Sequence, residues 1–366
     1  MFRFKSNQEF KIGNFNHCVS VNVHKGITSL AWYSASRECL DNQSVYLVNP
    51  KISMNAPIER VGDKTGNPII FNHQGDTYLL FSKFEKPEGL GALRWQHCSL
   101  WIVRLVLGKN HHPLMVDASL MKIADASKHL LARCNPITMS NGSTIIPLYD
   151  EKYAKNVLML LPKSYFESGR DDSPLFRELS GETQFPPCSM GFGVNCIQPT
   201  LFASNSDPED QILYSLSRTF VPYGSQKPIR EGETPSVYSM LHRLPLENRG
   251  LVSNSRSIDE TETPLFNLNS SIHAVNWGDD IFIIWNRMKK RIRSNLSLGH
   301  ISIDDGNVVL NSFVDLTKNF KGSYPSMFVY KNKLHFAYTN DSYKISYNVW
   351  NKKQYKSECQ RGAVVS

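Results

Sequence analysis

The sequence predicts an all-β fold, a β-propeller of six four-stranded blades, and three features of the chain support this prediction. A polar residue, often followed by proline, precedes a short apolar segment at six places along the 366 residues. Each apolar segment leads into a polar turn and then into an aromatic-rich apolar segment, which is the pattern of a β-hairpin. These turns recur at intervals of roughly 50 to 70 residues, the kind of spacing that repeat architectures show.

Six such hairpins follow one another along the chain, and each is expected to supply the two innermost strands of one blade. Five of them have short turns that contain Gly, Asn or Asp, whereas the fourth has a longer polar loop. The hairpins span residues 17–33, 67–81, 135–149, 198–216, 269–285 and 321–339.

We therefore expect residues 1–366 to form a single six-bladed propeller domain. Two stacked β-sandwiches are the alternative, since a sandwich needs no regular repeat. Helical periodicity is weak throughout the chain, and residues 118–124 are the best candidate for a short helix.

The composition indicates a globular protein in a reducing compartment. Hydrophobic residues make up 41% of the chain and aromatic residues 11%. A run of about 18 apolar residues, the signature of a membrane span, does not occur. The first eight residues lack the apolar core of a secretory signal, and the seven cysteines are scattered without a CxxC pair. These features predict a cytoplasmic protein with free thiols.

The net charge of +8 predicts an anionic partner, which could be an acidic sugar, a nucleic acid or an acidic membrane face. Apart from residues 289–293, the lysines and arginines are spread along the chain, and no nucleic-acid-binding motif is present. We therefore expect no nucleic acid, and the charge leaves an acidic sugar or glycoconjugate and an acidic membrane face as the alternatives. Peripheral association with a membrane, such as the inner membrane face, or with a membrane protein is compatible with the same charge.

Polar residues begin each of the six inner strands and are expected to form a ring at one mouth of the propeller axis. The strands that follow end near charged residues, among them Arg37, Glu38, Glu151 and Arg218, and Arg133 lies just before the third inner strand. Arginines and carboxylates at one rim suit an anionic, hydroxyl-rich ligand. Any one of these polar residues could simply cap a turn, but six in register favour a site. The six ring positions are His17, Asn67, Asn135, Gln198, Asn269 or Ser270, and Tyr324.

Four segments, in blade order, carry a family resemblance. Residues 30–41 end in an arginine followed by an acidic loop, residues 212–218 end in Arg218, residues 293–296 begin with Arg293, and residues 321–324 end in Tyr324. In this order they resemble the sialidase superfamily, in particular its BNR-repeat-like members, and the resemblance covers nearly the whole chain. Residues 302–306 look like a degenerate Asp-box, for which a structural role is expected.

The resemblance implies a retaining exo-α-glycosidase that removes a terminal 2-keto-3-deoxy acid sugar, either sialic acid or Kdo. It implies Tyr324 as the nucleophile, Asp41 as the acid/base, and Arg218 and Arg293 as ligands of the substrate carboxylate. A neutral phenol avoids the repulsion that an attacking carboxylate would meet at an anomeric carbon bearing a carboxylate. No cofactor and no metal are expected. The remaining substrate contacts expected from the ring and the rim are His17, Arg37, Asn67, Arg133 and Gln198.

The chain departs from the family pattern at two positions. His17 stands where the family usually has the first arginine of its triad, and Gln198 stands where it has the glutamate that polarises the tyrosine. An amide cannot accept the proton of a phenol whose pKa is about 10, so Glu38 or Glu151 substitutes, or the arginines alone lower the pKa of Tyr324. The alternative function is a catalytically silent propeller that binds acidic glycans or a protein.

Overall fold

Six antiparallel sheets surround a common axis in the computed structural model, so the predicted six-bladed β-propeller is confirmed and stacked sandwiches do not form. The structure describes residues 8–51, 59–85, 94–108, 111–116, 119–168, 190–194, 196–203, 212–219, 238–244, 246–247, 250–251, 259–267, 270–287, 295–317 and 321–363.

The first three blades contain strands β2 to β15, and the strands of each follow one another from the axis outward. The first blade consists of β2 (Phe15–His24), β3 (Ile27–Ala35), β4 (Ser44–Val48) and β5 (Glu59–Asp63). The second consists of β6 (Thr65–His73), β7 (Asp76–Phe84), β8 (Cys98–Leu107) and β10 (Met121–Ala124), with β9 (Pro113–Met115) also pairing with β8. The third has a divided inner strand, β11 (Leu130–Ala132) and β12 (Ile137–Thr138), followed by β13 (Thr144–Asp150), β14 (Lys155–Leu161) and β15 (Met190–Val194).

The other three blades are built in the same way. The fourth consists of β16 (Cys196–Ala203), β17 (Leu213–Thr219), β18 (Tyr238–Leu244) and β21 (Asp259–Phe266), with a small hairpin of β19 (Leu246–Glu247) and β20 (Gly250–Leu251) before its last strand. The fifth consists of β22 (His273–Trp277), β23 (Asp280–Asn286), β24 (Leu296–Asp304) and β25 (Asn307–Asp315). The sixth consists of β26 (Gly322–Tyr330), β27 (Lys333–Asn340), β28 (Lys344–Trp350) and β1 (Gln8–Phe10).

Strand β1 closes the ring, because it pairs antiparallel with β28 and so becomes the outermost strand of the sixth blade. The first and sixth blades also touch at the axis, where the backbone N–H of Val21 on β2 donates to Ser326 Oγ on β26 at 3.1 Å. On the other side of β2, Ser20 Oγ accepts from the backbone N–H of Ile70 on β6 at 2.9 Å. Small hydroxyl side chains thus join neighbouring inner strands where they lie too far apart to form a ladder.

The hydrophobic core lies between the blades, as each sheet packs its faces against those of its neighbours. Large aromatic and aliphatic side chains with exposures of 5% or less fill these interfaces. Examples are Leu80 with Ile146, Leu158 with Leu201, Phe202 with Ile283, Phe282 with Phe336, Trp32 with Ile345, and Tyr33 with Phe81.

The inner strands of four blades carry the same β-bulge. In each, one extra residue interrupts the pairing with the second strand, for example between Ser323 and Ser326 of β26. The first bulge residue has a positive φ, which is uncommon for residues other than glycine. In three of the bulges the next residue is proline, whose missing N–H leaves no unpaired donor where the ladder breaks. The bulge residues are Cys18, Asn67, Gln198 and Tyr324, with φ of 54°, 45°, 58° and 49°.

The bulges correct the expected ring of polar residues. In the first blade the residue equivalent to Tyr324 is Cys18, and His17 lies one position earlier, opposite Tyr33 on β3. The third inner strand is interrupted over residues 133–136, so Arg133 takes the place directly after the paired segment. In the fifth blade the pairing of β22 with β23 is regular and Ser270 precedes it, while Asn269 lies outside the described residues.

The helices are short and peripheral. Within the described ranges they are α1 (Lys163–Ser168) and α2 (Lys352–Ala363), with single 3-10 turns at Trp95–His97 and Ala126–Lys128. Where a short helix was expected at 118–124, the structure has strand β10, so that expectation is wrong. Among the residues that the structure describes, no helix combines the length and apolar character needed to cross a bilayer.

Replacing Asn16 by alanine is expected to lower the free energy of unfolding by about 2 kcal/mol, because the change strands a buried indole donor. Asn16 is fully buried, and its Oδ1 accepts from Trp32 Nε1 at 2.9 Å, while its Nδ2 donates to the carbonyl of Tyr343 in the sixth blade at 2.7 Å. Urea denaturation measures the effect. Asn42→Ala is the matched control, since Asn42 is exposed and bonds only Ser36 in the described structure; an equal loss in both variants would contradict this account.

Candidate active site

Tyr324 projects from its bulge into a group of polar side chains at the axis. Its ring centroid lies 4.2 Å from that of His17, in an edge contact, and 5.5 Å from the guanidinium carbon of Arg133. The left-handed conformation of a bulky tyrosine is a strained state that the surrounding structure must hold. We call the group formed by His17, Tyr33, Glu38, Arg133, Tyr149, Glu151, Gln198, Arg218 and Tyr324 the axial site.

Arg133 holds the backbone of Tyr324 in place from the opposite side of the ring. Its Nη2 donates to the carbonyl oxygen of Tyr324 at 2.6 Å and to that of Pro325 at 3.2 Å. Both Nη1 and Nη2 also lie 3.2 Å from the carbonyl oxygen of Val19 in the first blade. With 2% of its surface exposed, this guanidinium is engaged with the carbonyls of two bulges.

Glu38 is anchored at the rim by two aromatic donors. Its Oε1 accepts from Tyr33 Oη at 3.2 Å and from Trp95 Nε1 at 3.1 Å. Tyr33 is fully buried, and burial, together with the neighbouring Cys18, Glu38 and Tyr324, raises its pKa well above the usual range. Tyr33 therefore keeps its proton at neutral pH and donates a hydrogen bond to Glu38.

Gln198 forms a hydrogen bond that links the fourth blade to the third. Its Nε2 donates to the hydroxyl of Tyr149 at 3.3 Å. Burial and the negative charge of Glu151 raise the pKa of Tyr149 well above its usual range, against the positive field of Arg218. Burial also raises the pKa of Glu151, and Arg218 opposes that shift. Arg218, 3% exposed, is thus the cation that faces this carboxyl–phenol pair.

The other predicted site residues are more scattered. Asn67 is buried in the second bulge, whereas Arg37 is exposed and makes no hydrogen bond or salt bridge to any residue that the structure describes. Asp41 lies in an exposed rim loop, with 68% of its side chain exposed and Oδ1 3.9 Å from Lys64 Nζ. Arg293 lies outside the described residues.

Sequence reasoning missed two members of the axial site, Tyr33 and Tyr149. Both lie on the second strand of a blade, Tyr33 opposite His17 and Tyr149 opposite Leu131, close to the point where the inner strand is interrupted. The hairpins at residues 17–33 and 135–149 both end in a tyrosine, and this shared position is the sequence feature from which the two residues could have been predicted.

Buried His273, on β22 of the fifth blade, predicts a loss of stability in mild acid. Burial and the positive charge of Arg133 lower its pKa to about 3. An unfolded histidine titrates at about 6.5, so below that pH the unfolded chain binds a proton that the folded protein refuses, and the free energy of unfolding falls as pH decreases. We expect this residue to contribute a loss of about 3 kcal/mol between roughly pH 6.5 and pH 4.

Urea denaturation across this pH range measures the loss. The pH dependence is expected to become shallower in His273→Gln and to stay unchanged in His111→Gln, since His111 is exposed. Equal pH slopes in the wild type and His273→Gln would show that the buried imidazole is not responsible.

Comparisons with known proteins identify the fold. No family model matches the chain, and no curated protein matches its sequence. Trypanosoma rangeli sialidase superposes on 95% of this chain with a TM-score of 0.57 and 11% identity, and its complex with sialic acid gives 0.54. A Dyadobacter fermentans protein of unknown function covers 96% with a TM-score of 0.59 and 11% identity.

This chain spans 58% of the length of the Trypanosoma rangeli sialidase and 99% of the Dyadobacter protein. At these identities the similarity concerns the fold, which is that of a sialidase-like six-bladed propeller.

Proposed function

We propose that the chain is a retaining exo-α-glycosidase for terminal 2-keto-3-deoxy acid sugars, with Tyr324 as its nucleophile. The observation that carries the proposal is the strained bulge of Tyr324, held from behind by Arg133 and placed against His17. Backbone strain of this kind persists only where surrounding contacts enforce it, and it clusters at functional sites. Cys18, Asn67 and Gln198 share the left-handed bulge, and what sets Tyr324 apart is its phenol, which the bulge places against His17 and Arg133.

The proton of Tyr324 needs an acceptor, and Glu151 is the one we favour. Gln198 cannot take a proton and is engaged as a donor to Tyr149. One carboxylate oxygen of Glu38 already accepts hydrogen bonds from Tyr33 and Trp95. Burial raises the pKa of Glu151, which makes its carboxylate a better proton acceptor than an ordinary glutamate.

The substrate carboxylate is assigned to Arg218, with Arg293 as its partner. Arg133 is a weaker choice than expected, because its Nη atoms already donate to three backbone carbonyls. Arg218 is buried, and a buried guanidinium offers a strong two-donor contact to a planar carboxylate. His17, in contact with Tyr324, then replaces an arginine at the near side of the sugar.

Asp41 is proposed as the acid/base on the exposed rim. In the first step the oxygen of Tyr324 bonds to the anomeric carbon, the bond to the aglycone breaks, and Asp41 gives its proton to the leaving oxygen. In the second step Asp41 removes a proton from water, the hydroxide displaces Tyr324 from the sugar, and the phenol regains its proton. The exposure of Asp41 suits a group that must protonate a leaving group of variable size.

A catalytically silent propeller that binds acidic glycans is the second candidate, and Gln198 in place of a base favours it. Aryl α-glycosides of sialic acid and of Kdo separate the two functions and the two sugars. The proposal expects release of the aryl alcohol from one of them by the wild type, and loss of that release in Asp41→Ala. Saturable binding of the free sugar without release from either glycoside would establish the silent propeller instead.

A further inference from the structure

A second pocket lies at the face of the propeller opposite the axial site. It encloses about 420 Å³ between the first and sixth blades, beside the β2–β3 and β26–β27 turns. Tyr330, at the pocket wall, is six positions after Tyr324 on β26, a distance of about 20 Å along an extended strand. We call it the basic pocket, and its lining includes Lys51, Lys331, Lys333, Tyr330, His335 and Tyr347.

The charged side chains described around the basic pocket are positive. Three lysines line it, Lys51, Lys331 and Lys333, and no acidic side chain is among its described lining residues. None of the three forms a salt bridge with a residue that the structure describes. Other lysines at the protein surface do form salt bridges, as Lys344 does with Glu9 and Lys352 with Asp280. Three uncompensated ammonium groups around one concavity create a site for an anion.

The floor of the basic pocket is ordered and polar enough to orient a ligand. His335 Nδ1 lies 2.7 Å from the hydroxyl of Tyr347, and both side chains are less than 10% exposed. Burial and the nearby charges of Lys333 and Lys51 lower the pKa of His335 to about 4, so the imidazole is neutral at physiological pH. A neutral imidazole and a phenol can form hydrogen bonds with a ligand without adding to the positive charge of the three lysines.

We propose that the basic pocket binds a phosphate monoester with a compact ring or apolar body. Lysine ammonium groups act as point charges and suit phosphate, whereas planar carboxylates are typically held by arginine, and no arginine is among the described lining residues. A phosphate monoester carries close to two negative charges at neutral pH, enough to engage more than one lysine. The apolar walls of Val23, Val349 and Tyr330 fit the body of the ligand, and the volume falls within the range of small-molecule sites.

Calorimetric titration of the full chain with adenosine monophosphate tests the proposal, with adenosine as the probe that lacks phosphate. We expect saturable binding of the nucleotide, none of adenosine, and affinity at least about tenfold weaker in both Lys333→Gln and Lys51→Gln. Lys353→Gln, an exposed lysine on α2 away from the pocket, is the control and is expected to bind as the wild type does. Thermal unfolding of each variant verifies that it is folded.

A lipid can present the same monoester, so vesicles of phosphatidylcholine with phosphatidic acid form a second arm. Vesicle binding that is lost in Lys333→Gln and Lys51→Gln but kept in Lys353→Gln supports the proposal with a lipid as the source. Binding of neither probe, or equal weakening in all three lysine variants, overturns it. The axial site is about a strand's length away, so hydrolytic activity is expected to be unchanged in these variants.

Discussion

Replacing Tyr324 by phenylalanine is expected to reduce glycoside hydrolysis at least about 1,000-fold, because the reaction loses its nucleophile while the pocket keeps its shape. The phenyl ring can still make the edge contact with His17 and the contact with Arg133. Binding of the product sugar is therefore expected to change little. Steady-state rates on the cleaved aryl glycoside, together with calorimetric binding of the free sugar, measure the two effects.

Tyr330→Phe is the matched control, since Tyr330 lies on the same strand as Tyr324, at the other face of the propeller. Its activity is expected to equal that of the wild type. Hydrolysis by Tyr324→Phe at a rate within tenfold of the wild type would remove the tyrosine from the mechanism.

Replacing Arg133 by methionine is expected to cost about 3 kcal/mol of stability and most of the activity. The change leaves the buried carbonyl oxygens of Val19, Tyr324 and Pro325 without their hydrogen-bond donor. Each unsatisfied buried acceptor lowers the free energy of unfolding. Without this clamp the strained backbone of Tyr324 can relax, which moves the phenol away from the reacting carbon.

Arg133→Lys distinguishes geometry from charge. A lysine keeps the positive charge but not the fork of donors, so we expect it to restore less than half of the lost stability and little of kcat. Arg60→Lys, at a half-exposed arginine, is the control and is expected to change stability by less than about 0.5 kcal/mol. Full rescue by Arg133→Lys would indicate that Arg133 acts through its charge alone. Urea denaturation and kcat are the two readouts.

The hairpins were predictable from the sequence because their chemistry is local. A polar turn such as Lys331-Asn332 between two apolar segments specifies a hairpin, and the structure has that turn with φ of 45° and 56°. Helix α2 was also readable, although it was not predicted: Asn351 Oδ1 accepts from the N–H of Gln354, and Gln354 Oε1 accepts from the N–H of Asn351. This reciprocal pair is a capping box, a signal confined to four residues.

Only three of the four bulges carry a recognisable sequence pattern. A polar residue followed by proline marks them at Asn67, Gln198 and Tyr324, so those three positions were placed correctly. In the first blade Cys18 is followed by Val19 and not by proline. The sequence therefore predicts the polar His17, and not Cys18, as the ring residue of this blade. At Met121–Ala124, within the segment expected to be helical, pairing with β8 favours a strand over the local helical preference.

Contacts across the axis could not be predicted from local sequence patterns, because they join residues that are far apart in the chain. Arg133 and Tyr324 are 191 residues apart, and only the closed ring shows that the arginine serves the backbone of the tyrosine. The same holds for Gln198 and Tyr149, which meet because the third and fourth blades are neighbours. Residue types suggested an anionic site, but the engagement of Arg133 with backbone carbonyls depends on long-range contacts.

The most direct test of a tyrosine nucleophile is covalent trapping. A 2,3-difluoro analogue of sialic acid, and the matching analogue of Kdo, should lose fluoride from the anomeric carbon as Tyr324 bonds to it, and the second fluorine should slow release of the sugar. Trypsin cleaves after Lys321 and Lys331, so mass spectrometry can place the adduct within residues 322–331, and fragment ions separate Tyr324 from Tyr330. The account predicts an adduct on Tyr324 with one analogue and none with Tyr324→Phe. An adduct on any other residue, or no adduct with either analogue, would contradict it.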